Sequence, residues 1–452
     1  LYGSGGARAS RAGGFFGHAA GLVAWLSILL PAALGFLYVR TFGVSVVFSD
    51  AWSMVHLFDA WSSGTLRLSD LYAPHNEHRM FFPKGVEVLL GAVTEYDNVV
   101  EMYVIEVCFL ITLAVLLLAF RAGTRPWLVL FIPVSILIFS FRQYENMLFG
   151  FQINFAFTQT FGVLALFLLD VFARRGSRKL PLAVALGSAT VASFSTAQGL
   201  FVWPAGLLQL LIGPAEKPAK RVSVVVWGLA GLGEWVAYFA DYARPEGSVS
   251  LLGVLDRPLT GAKYFLTLLG SSLFWQQTSA LLGGLFIACL ALVSLGILAR
   301  DKKLAQHSFW VSLLLYSLLM LAAITVGRAG LFGPLQALAS RYTTFSILAV
   351  ASVYAVLAKM AFESRSFIRA ALLVPLCGAV LISAAVSYPD GVGFGSATKV
   401  ARERAAFVLS TYDSQPDRAL MVSLDARAEV VRQNAQVLQR LGYNVFSEPQ
   451  RR

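Results

Sequence analysis

Residues Tyr103–Phe120 read YVIEVCFLITLAVLLLAF, eighteen positions with a single charged residue, Glu106. A helix rises ~1.5 Å per residue and needs about 20 apolar residues to cross a ~30 Å hydrocarbon core. This run approaches that length with no Gly or Pro to break it, and it reads as a membrane-spanning helix. Comparable runs recur near 16–39, 126–141, 150–172, 181–195, 199–213, 221–240, 278–299, 308–326, 342–362 and 370–388. Together they predict an all-α polytopic membrane protein with about 11 transmembrane helices. Composition agrees: 57% of residues are hydrophobic, 13% are charged and mean hydropathy is +0.68, far from a soluble balance.

Lys and Arg collect in cytoplasmic loops, so their placement sets orientation. With the N-terminus inside, Arg8, Arg11, Arg121, Arg125, Arg174, Arg175, Arg178, Lys179, Lys217, Lys220, Arg221, Arg300, Lys302, Lys303, Lys359, Arg365 and Arg369 all face the cytoplasm. Only four acids share that side: Asp170, Glu216, Asp301 and Glu363. The net charge of +11 is thus a topology signal and does not point to nucleic acid. An odd number of spans places 389–452 outside, giving three parts: a cytoplasmic tail 1–15, a transmembrane domain 16–388, and a small extracytoplasmic C-terminal region. Cys108, Cys289 and Cys377 lie inside apolar runs, where a lone thiol behaves as a small hydrophobe, and no disulfide framework is implied. The chain opens at Leu1 and its first methionine is Met54, so an upstream start is expected; segment 16–39 is too long for a signal-peptide core and reads as a span.

Polar chemistry gathers at the outward ends. The loop 40–100 carries Asp50, Asp59 and the run His75-Asn76-Glu77-His78-Arg79. Arg142-Gln143-Tyr144-Glu145-Asn146, with Gln152 and Asn154, forms one outward hairpin tip; Ser195-Thr196-Ala197-Gln198-Gly199 forms a tighter one. A third outward loop holds Arg328, Gln336 and Ser340-Arg341-Tyr342. Residues 241–275, broken by Pro245, Gly247 and Pro258, read as a loop with a short interfacial helix. Trp52, Trp61, Phe81, Phe82, Trp235 and Trp275 read as an interfacial aromatic belt. Glu101 and Glu106 open their span on the outer side and suit an interface, whereas Glu234 lies deeper, where a charge costs about 2.5–3.5 kcal/mol unless paired or protonated.

These residue types suggest a division of labour. A carboxylate such as Asp50 can take a proton from an attacking hydroxyl. Arg328 and Arg341 suit a phosphate, because a guanidinium fork matches its oxygens and stays charged. His75, Glu77 and His78 suit either a divalent cation or sugar hydroxyls; the spacing matches no zinc motif, and no cofactor is otherwise indicated.

An outward loop opening on Ser49-Asp50 after the first span, Pro74-His75-Asn76-Glu77-His78-Arg79, Tyr144-Glu145-Asn146 with Gly150-Phe151-Gln152, and an outward Ser340-Arg341-Tyr342 together resemble the GT-C superfamily of polyprenyl-phosphate-sugar-dependent glycosyltransferases, in particular a bacterial group of this general type. The resemblance covers roughly residues 15 to 450. It implies a GT-C-like fold in the inner membrane, a polyprenyl-phosphate-linked sugar as donor, an acceptor glycan or lipid of the cell envelope, and transfer on the extracytoplasmic face. Asp50 would be the general base or acceptor-positioning acid, with His75, Glu77 and His78 beside it, and Arg341 would lie near the donor phosphate. Arg79, Arg142, Glu145, Asn146, Gln152, Gln198, Arg328 and Tyr342 would complete substrate binding. Many members have paired acids in the first loop; here Ala51 follows Asp50, and Asp59 is the next acid. The alternative reading is a transporter or flippase of a polyprenyl-linked or amphiphilic substrate, which would require charged residues along a path through the bilayer; no internal repeat supports it.

After Pro389 the pattern changes. Segments 397–411 and 426–441 read as amphipathic helices, the second stopped by Gly442, with 419–424 between them as a short strand or extended link. Some 64 residues form only a small core, so this region is expected to dock on the outer loops.

Overall fold

The computed structural model describes residues 6–121, 127–174, 179–214, 217–242, 254, 256–330, 333–364 and 367–447. Arg125, Arg175, Arg178, Glu216, Pro245, Gly247 and Arg365 lie outside the described residues, and of Arg8, Arg11 and Lys217 only the backbone is described.

Every regular element among the described residues is helical. In chain order these are α1 (Gly6–Phe42), α2 (Val55–Ser62), α3 (Leu68–Tyr72), α4 (Phe81–Thr94), α5 (Asn98–Phe120), α6 (Trp127–Ile138), α7 (Tyr144–Met147), α8 (Ile153–Arg174) and α9 (Lys179–Ser193). Then follow α10 (Val202–Ile212), α11 (Lys217–Phe239), α12 (Pro258–Gly270), α13 (Gln277–Arg300), α14 (Ser308–Arg328), α15 (Thr343–Ser364), α16 (Phe367–Ser410), α17 (Asp417–Leu424) and α18 (Ala428–Leu441). Nine helical stretches among the described residues are long and apolar enough to cross a membrane. The remaining two of the eleven expected spans are the shorter apolar helices Lys179–Ser193 and Ala197–Ile212. They form a hairpin whose turn requires Gly199, because a Cβ there would run into the Ala192 carbonyl.

The bundle is arranged around α15, the most buried span, whose Phe345, Leu348, Val350 and Leu357 are sealed on all sides. Rim helices leave apolar faces uncovered, such as Leu22, Leu26 and Leu30 on α1 and Leu229, Leu232 and Val236 on α11. Such faces suit hydrocarbon, and with the nine spans they define a multi-pass membrane protein. The basic loops meet at one end: Arg369 pairs with Asp301, Lys303 Nζ lies 3.0 Å from Glu363, and Arg174 donates to the Gln306 carbonyl at 2.6 Å. Asp50 lies at the other end.

At the Asp50 end the loop 40–100 is itself helical. Asp97 caps α5, its carboxylate accepting from Val99 N–H at 3.1 Å. Glu101 and Glu106, near the start of α5, are buried where it packs against α1 and α8, Glu101 accepting from Asn98 at 3.0 Å while Glu106 has no hydrogen-bond partner among the described residues. Glu234 takes a hydrogen bond from Thr190 Oγ1 at 2.7 Å.

Three expectations for the periphery need revision. The short helix expected within 241–275 is α12, of 13 residues, and it forms a close hairpin with α13: a Cβ on Gly284 would collide with the Leu266 carbonyl, and one on Gly270 with the Ala280 carbonyl. The boundary after 388 falls inside α16, which runs unbroken through Pro389 for 44 residues. At ~1.5 Å per residue that is about 66 Å, twice a hydrocarbon core, so its distal part projects past the bundle. The expected strand at 419–424 is helical, within α17.

The distal part of α16 with α17 and α18 docks on the first loop, as its small size requires. Leu409, Leu420, Val431 and Leu438 share one core with Val47, Phe58 and Tyr96. Trp52, expected in the aromatic belt, is buried there and donates to the Leu424 carbonyl at 3.1 Å. Asn444 ties down the end, donating to the Tyr96 carbonyl and Asn98 Oδ1, both at 2.9 Å.

Candidate functional site

Between the first loop, the helix ends and α16 lies a cavity of about 1230 Å³. Its polar wall is built by tight local turns. Asn76 adopts φ +50°, a left-handed conformation that Asn tolerates better than most residues, so His75 and His78 exchange backbone hydrogen bonds at 2.7 and 2.9 Å. The turn presents His75, Glu77 and His78 to the cavity from one short segment.

His75 sits edge-on to Phe151, ring centroids 5.2 Å apart, and its Nε2 lies 3.8 Å from Asp50 Oδ1. The His75 ring beside Asp50 holds its carboxyl below the usual carboxylate range, outweighing the opposing effect of partial burial, and the Arg341 charge helps. The Asp50 side chain is 54% exposed, an ionised acid open to the cavity. Glu77 pairs with Arg328 from the end of α14 and lies 3.9 Å from His78 Nε2. Burial disfavours its charge, but His78 and Arg328 prevail and keep Glu77 below its ordinary range. Burial pushes His78 down to about 4. It is therefore neutral near pH 7, and because its Nδ1 accepts Ala197 N–H at 3.3 Å the proton resides on Nε2, facing Glu77.

Across the cavity, the Ser340-Arg341-Tyr342 turn is clamped to α7. Glu145 N–H donates to Ser340 Oγ at 3.1 Å, Arg341 N–H donates to Glu145 Oε2 at 2.9 Å, and Arg341 Nη1 is 3.8 Å from the same carboxylate oxygen. Asn146 donates to the Arg341 carbonyl at 2.8 Å and to Thr344 Oγ1 at 2.6 Å. Gln152 and Gln198 line the cavity, each with a buried Oε1 that no described residue satisfies. An apolar flank of Trp235, Phe239, Leu319, Ala323 and Val326 from α11 and α14 completes the wall.

The structure thus gathers Asp50, His75, Glu77, His78, Glu145, Gln152, Gln198, Arg328, Arg341 and Tyr342 around one space. Three predicted residues do not line it. Arg79 spends its donors on carbonyls, at 2.6 Å to Tyr238 and 3.2 Å to Tyr72, and pairs also with the Ala240 carbonyl. Arg142 is buried over the Trp275 ring and donates to the Ser271 carbonyl at 2.7 Å. Asn146 is consumed in holding Arg341. Arg79 and Arg142 are taken up by carbonyls at neighbouring helix ends, which need donors, and Asn146 by the Arg341 carbonyl and the Thr344 hydroxyl. Among the described residues no group of three or more His, Cys, Asp or Glu is placed to hold a metal ion: His75 turns to Asp50, Glu77 to Arg328 and His78 to Ala197.

Sequence reasoning missed Arg402 and Thr398 of α16 and Asp425, which line the cavity from the C-terminal region. On an amphipathic helix a cavity-facing arginine has the same pattern as a solvated one, so no sequence signal separates it.

Fold and site together define a polytopic all-α membrane protein with an open, charge-lined cavity at one end of its bundle. No protein-family model matches the chain. An uncharacterised protein of Archaeoglobus fulgidus is 26% identical over 206 residues, 42% of this chain; the chain spans about half, 52%, of that relative. Among solved structures, the archaeal oligosaccharyltransferase AglB from Archaeoglobus fulgidus, in complex with an inhibitory peptide and a dolichol-phosphate, aligns at TM-score 0.48 and 12% identity over 87% of this chain and 59% of that one. At that identity and score the alignment carries no weight for activity.

Proposed function

We propose that this protein is a GT-C-type glycosyltransferase that moves a sugar from a polyprenyl-phosphate donor to a hydroxyl of an acceptor glycan or lipid. The observation that carries this reading is Asp50: an ionised carboxylate, held by His75, open to a cavity that offers both guanidinium groups and an apolar flank. In this scheme the acceptor hydroxyl gives its proton to Asp50 as its oxygen bonds the anomeric carbon. The bond from that carbon to the phosphate oxygen breaks, and the departing phosphate keeps the electron pair beside the cavity's arginines. The polyprenyl tail lies along the flank of Trp235, Phe239 and Leu319. Positive-inside orientation puts the basic loops in the cytoplasm and the cavity on the extracytoplasmic face of the inner membrane. The transporter alternative needs a polar path through the bundle, whereas the α14 residues that line the cavity inward of Arg328, from Gly327 to Leu319, are apolar.

The test is transfer of labelled sugar from a panel of polyprenyl-phosphate sugars, by purified wild type and by Asp50→Asn, each with and without chelator. The expected result is turnover by wild type, reduced about 10²–10⁴-fold in Asp50→Asn with lipid binding kept. Undiminished turnover in the variant removes Asp50 as base; no donor consumed by wild type removes the transferase reading. The chelator arm decides whether a divalent cation takes part.

A further inference from the structure

Three arginines line the cavity, and two are already compensated: Arg328 pairs with Glu77 and Arg341 with Glu145. Arg402, on the projecting part of α16, differs. Its Nε is buried with no hydrogen-bond partner, and among the described residues its guanidinium makes neither a hydrogen bond nor an ion pair. Asp425 lines the same cavity yet lies beyond ion-pair distance. The guanidinium lies over the Phe48 ring, its Cζ 3.1 Å from the centroid, and Phe48 stands two residues before Asp50. The ring covers one side of the guanidinium, and its remaining N–H donors are what a ligand in the cavity can use.

A partly buried guanidinium without an acceptor is costly, and the ligand that relieves it is an oxyanion able to take two parallel N–H bonds. We propose that Arg402 is the phosphate-recognising residue of this cavity, so that the C-terminal region supplies part of the ligand site. This deepens the glycosyltransferase reading and rests on it for the identity of the phosphate as that of a polyprenyl phosphate. It would set the phosphate beside the Asp50 turn, with Arg328 and Arg341 holding the carboxylates that shape the wall.

The experiment measures binding to purified full-length protein in nanodiscs with three probes: a long-chain polyprenyl monophosphate, the corresponding polyprenol, and inorganic phosphate. Wild type should prefer the monophosphate to the alcohol. Arg402→Met, which keeps the length and loses the charge, should weaken monophosphate binding by about tenfold or more and leave the alcohol unchanged; Arg402→Lys should keep part of the preference. If Arg402→Met retains the wild-type preference, or weakens both lipids equally, the proposal is overturned while the transferase reading stands. If wild type binds neither lipid but binds inorganic phosphate in an Arg402-dependent way, the anion site is supported and its lipid source is lost. Wild type that binds none of the three overturns the proposal, whatever the transfer assay shows.

Discussion

Asp50 and His75 show how much of the proposed chemistry depends on a single contact. The imidazole is the largest influence keeping the Asp50 carboxyl low, and partial burial, the next, acts in the opposite direction. Removing the ring therefore leaves burial less opposed, and Asp50 takes up its proton at higher pH. In His75→Ala the acid limb of the kcat/KM profile should move to higher pH, with the loss of activity greatest on the acid side. A limb that stays in place would mean that Asp50 is not the group being titrated. At this scale the sequence was informative where charges are scarce: an acid or guanidinium at a span end stands out, and Asp50, Glu77, Arg328 and Arg341 do meet around one cavity. It was uninformative for Arg79 and Arg142, because what a guanidinium does depends on what lies opposite. Arg142 meets carbonyls of Ser271 and Leu338, and Arg79 meets those of Tyr238 and Ala240.

Among the elements, the lengths of the apolar runs located the long helices, whereas α2, α3 and α4 of the first loop and the short α7 and α17 were not read as helices, and other misreadings occur where helices meet. Pro389 suggested an end because it lacks an N–H and crowds the preceding turn. The helix continues nonetheless, because its neighbours support it: Tyr38 donates to the Gly391 carbonyl at 2.7 Å, and Phe394 stacks on Tyr144 with centroids 4.9 Å apart. Such contacts from neighbouring helices hold the chain in place just beyond the proline. The hairpin of α12 and α13 depends on small residues in the same way, since close approach of backbones is what drives helices together when lipid competes with side chains. Gly284→Ala should push α13 away from the Leu266 carbonyl and destabilise the protein by about 1–3 kcal/mol. Thermal unfolding of the purified variant checks this; an unchanged midpoint would mean that the hairpin can spread without loss. Arg142 lies over Trp275 in the turn of this hairpin.

For the whole molecule, buried titratable groups make stability depend on pH. His78 is held at about 4 by burial, against an ordinary value of 6.5. Between those values the unfolded chain binds a proton that the folded one refuses, so stability contributed at this site is full above about pH 6.5 and is lost as pH falls toward 4. Glu87 works the other way: burial and the nearby Glu101 push its carboxyl well above the usual range, so its contribution weakens as pH rises. The difference between wild type and His78→Gln isolates the first effect. Between pH 6.5 and 4 the unfolding temperature of wild type should fall more steeply than that of the variant, measured in the same detergent; parallel curves would show that His78 does not resist protonation.

Hydrophobicity belongs to each residue and survives into any fold, so the sequence by itself determined the membrane class, the helical content, the positions of the spans and which few charges lie at their ends. Pairing is a relation between distant residues and has no local trace. Only the tertiary structure decided that Arg328 meets Glu77, that Asn444 closes on Tyr96, and that α16 carries Arg402 back to the Asp50 turn. A buried or cavity-facing charge takes its role from whichever group is packed against it, and that neighbour is chosen by the fold.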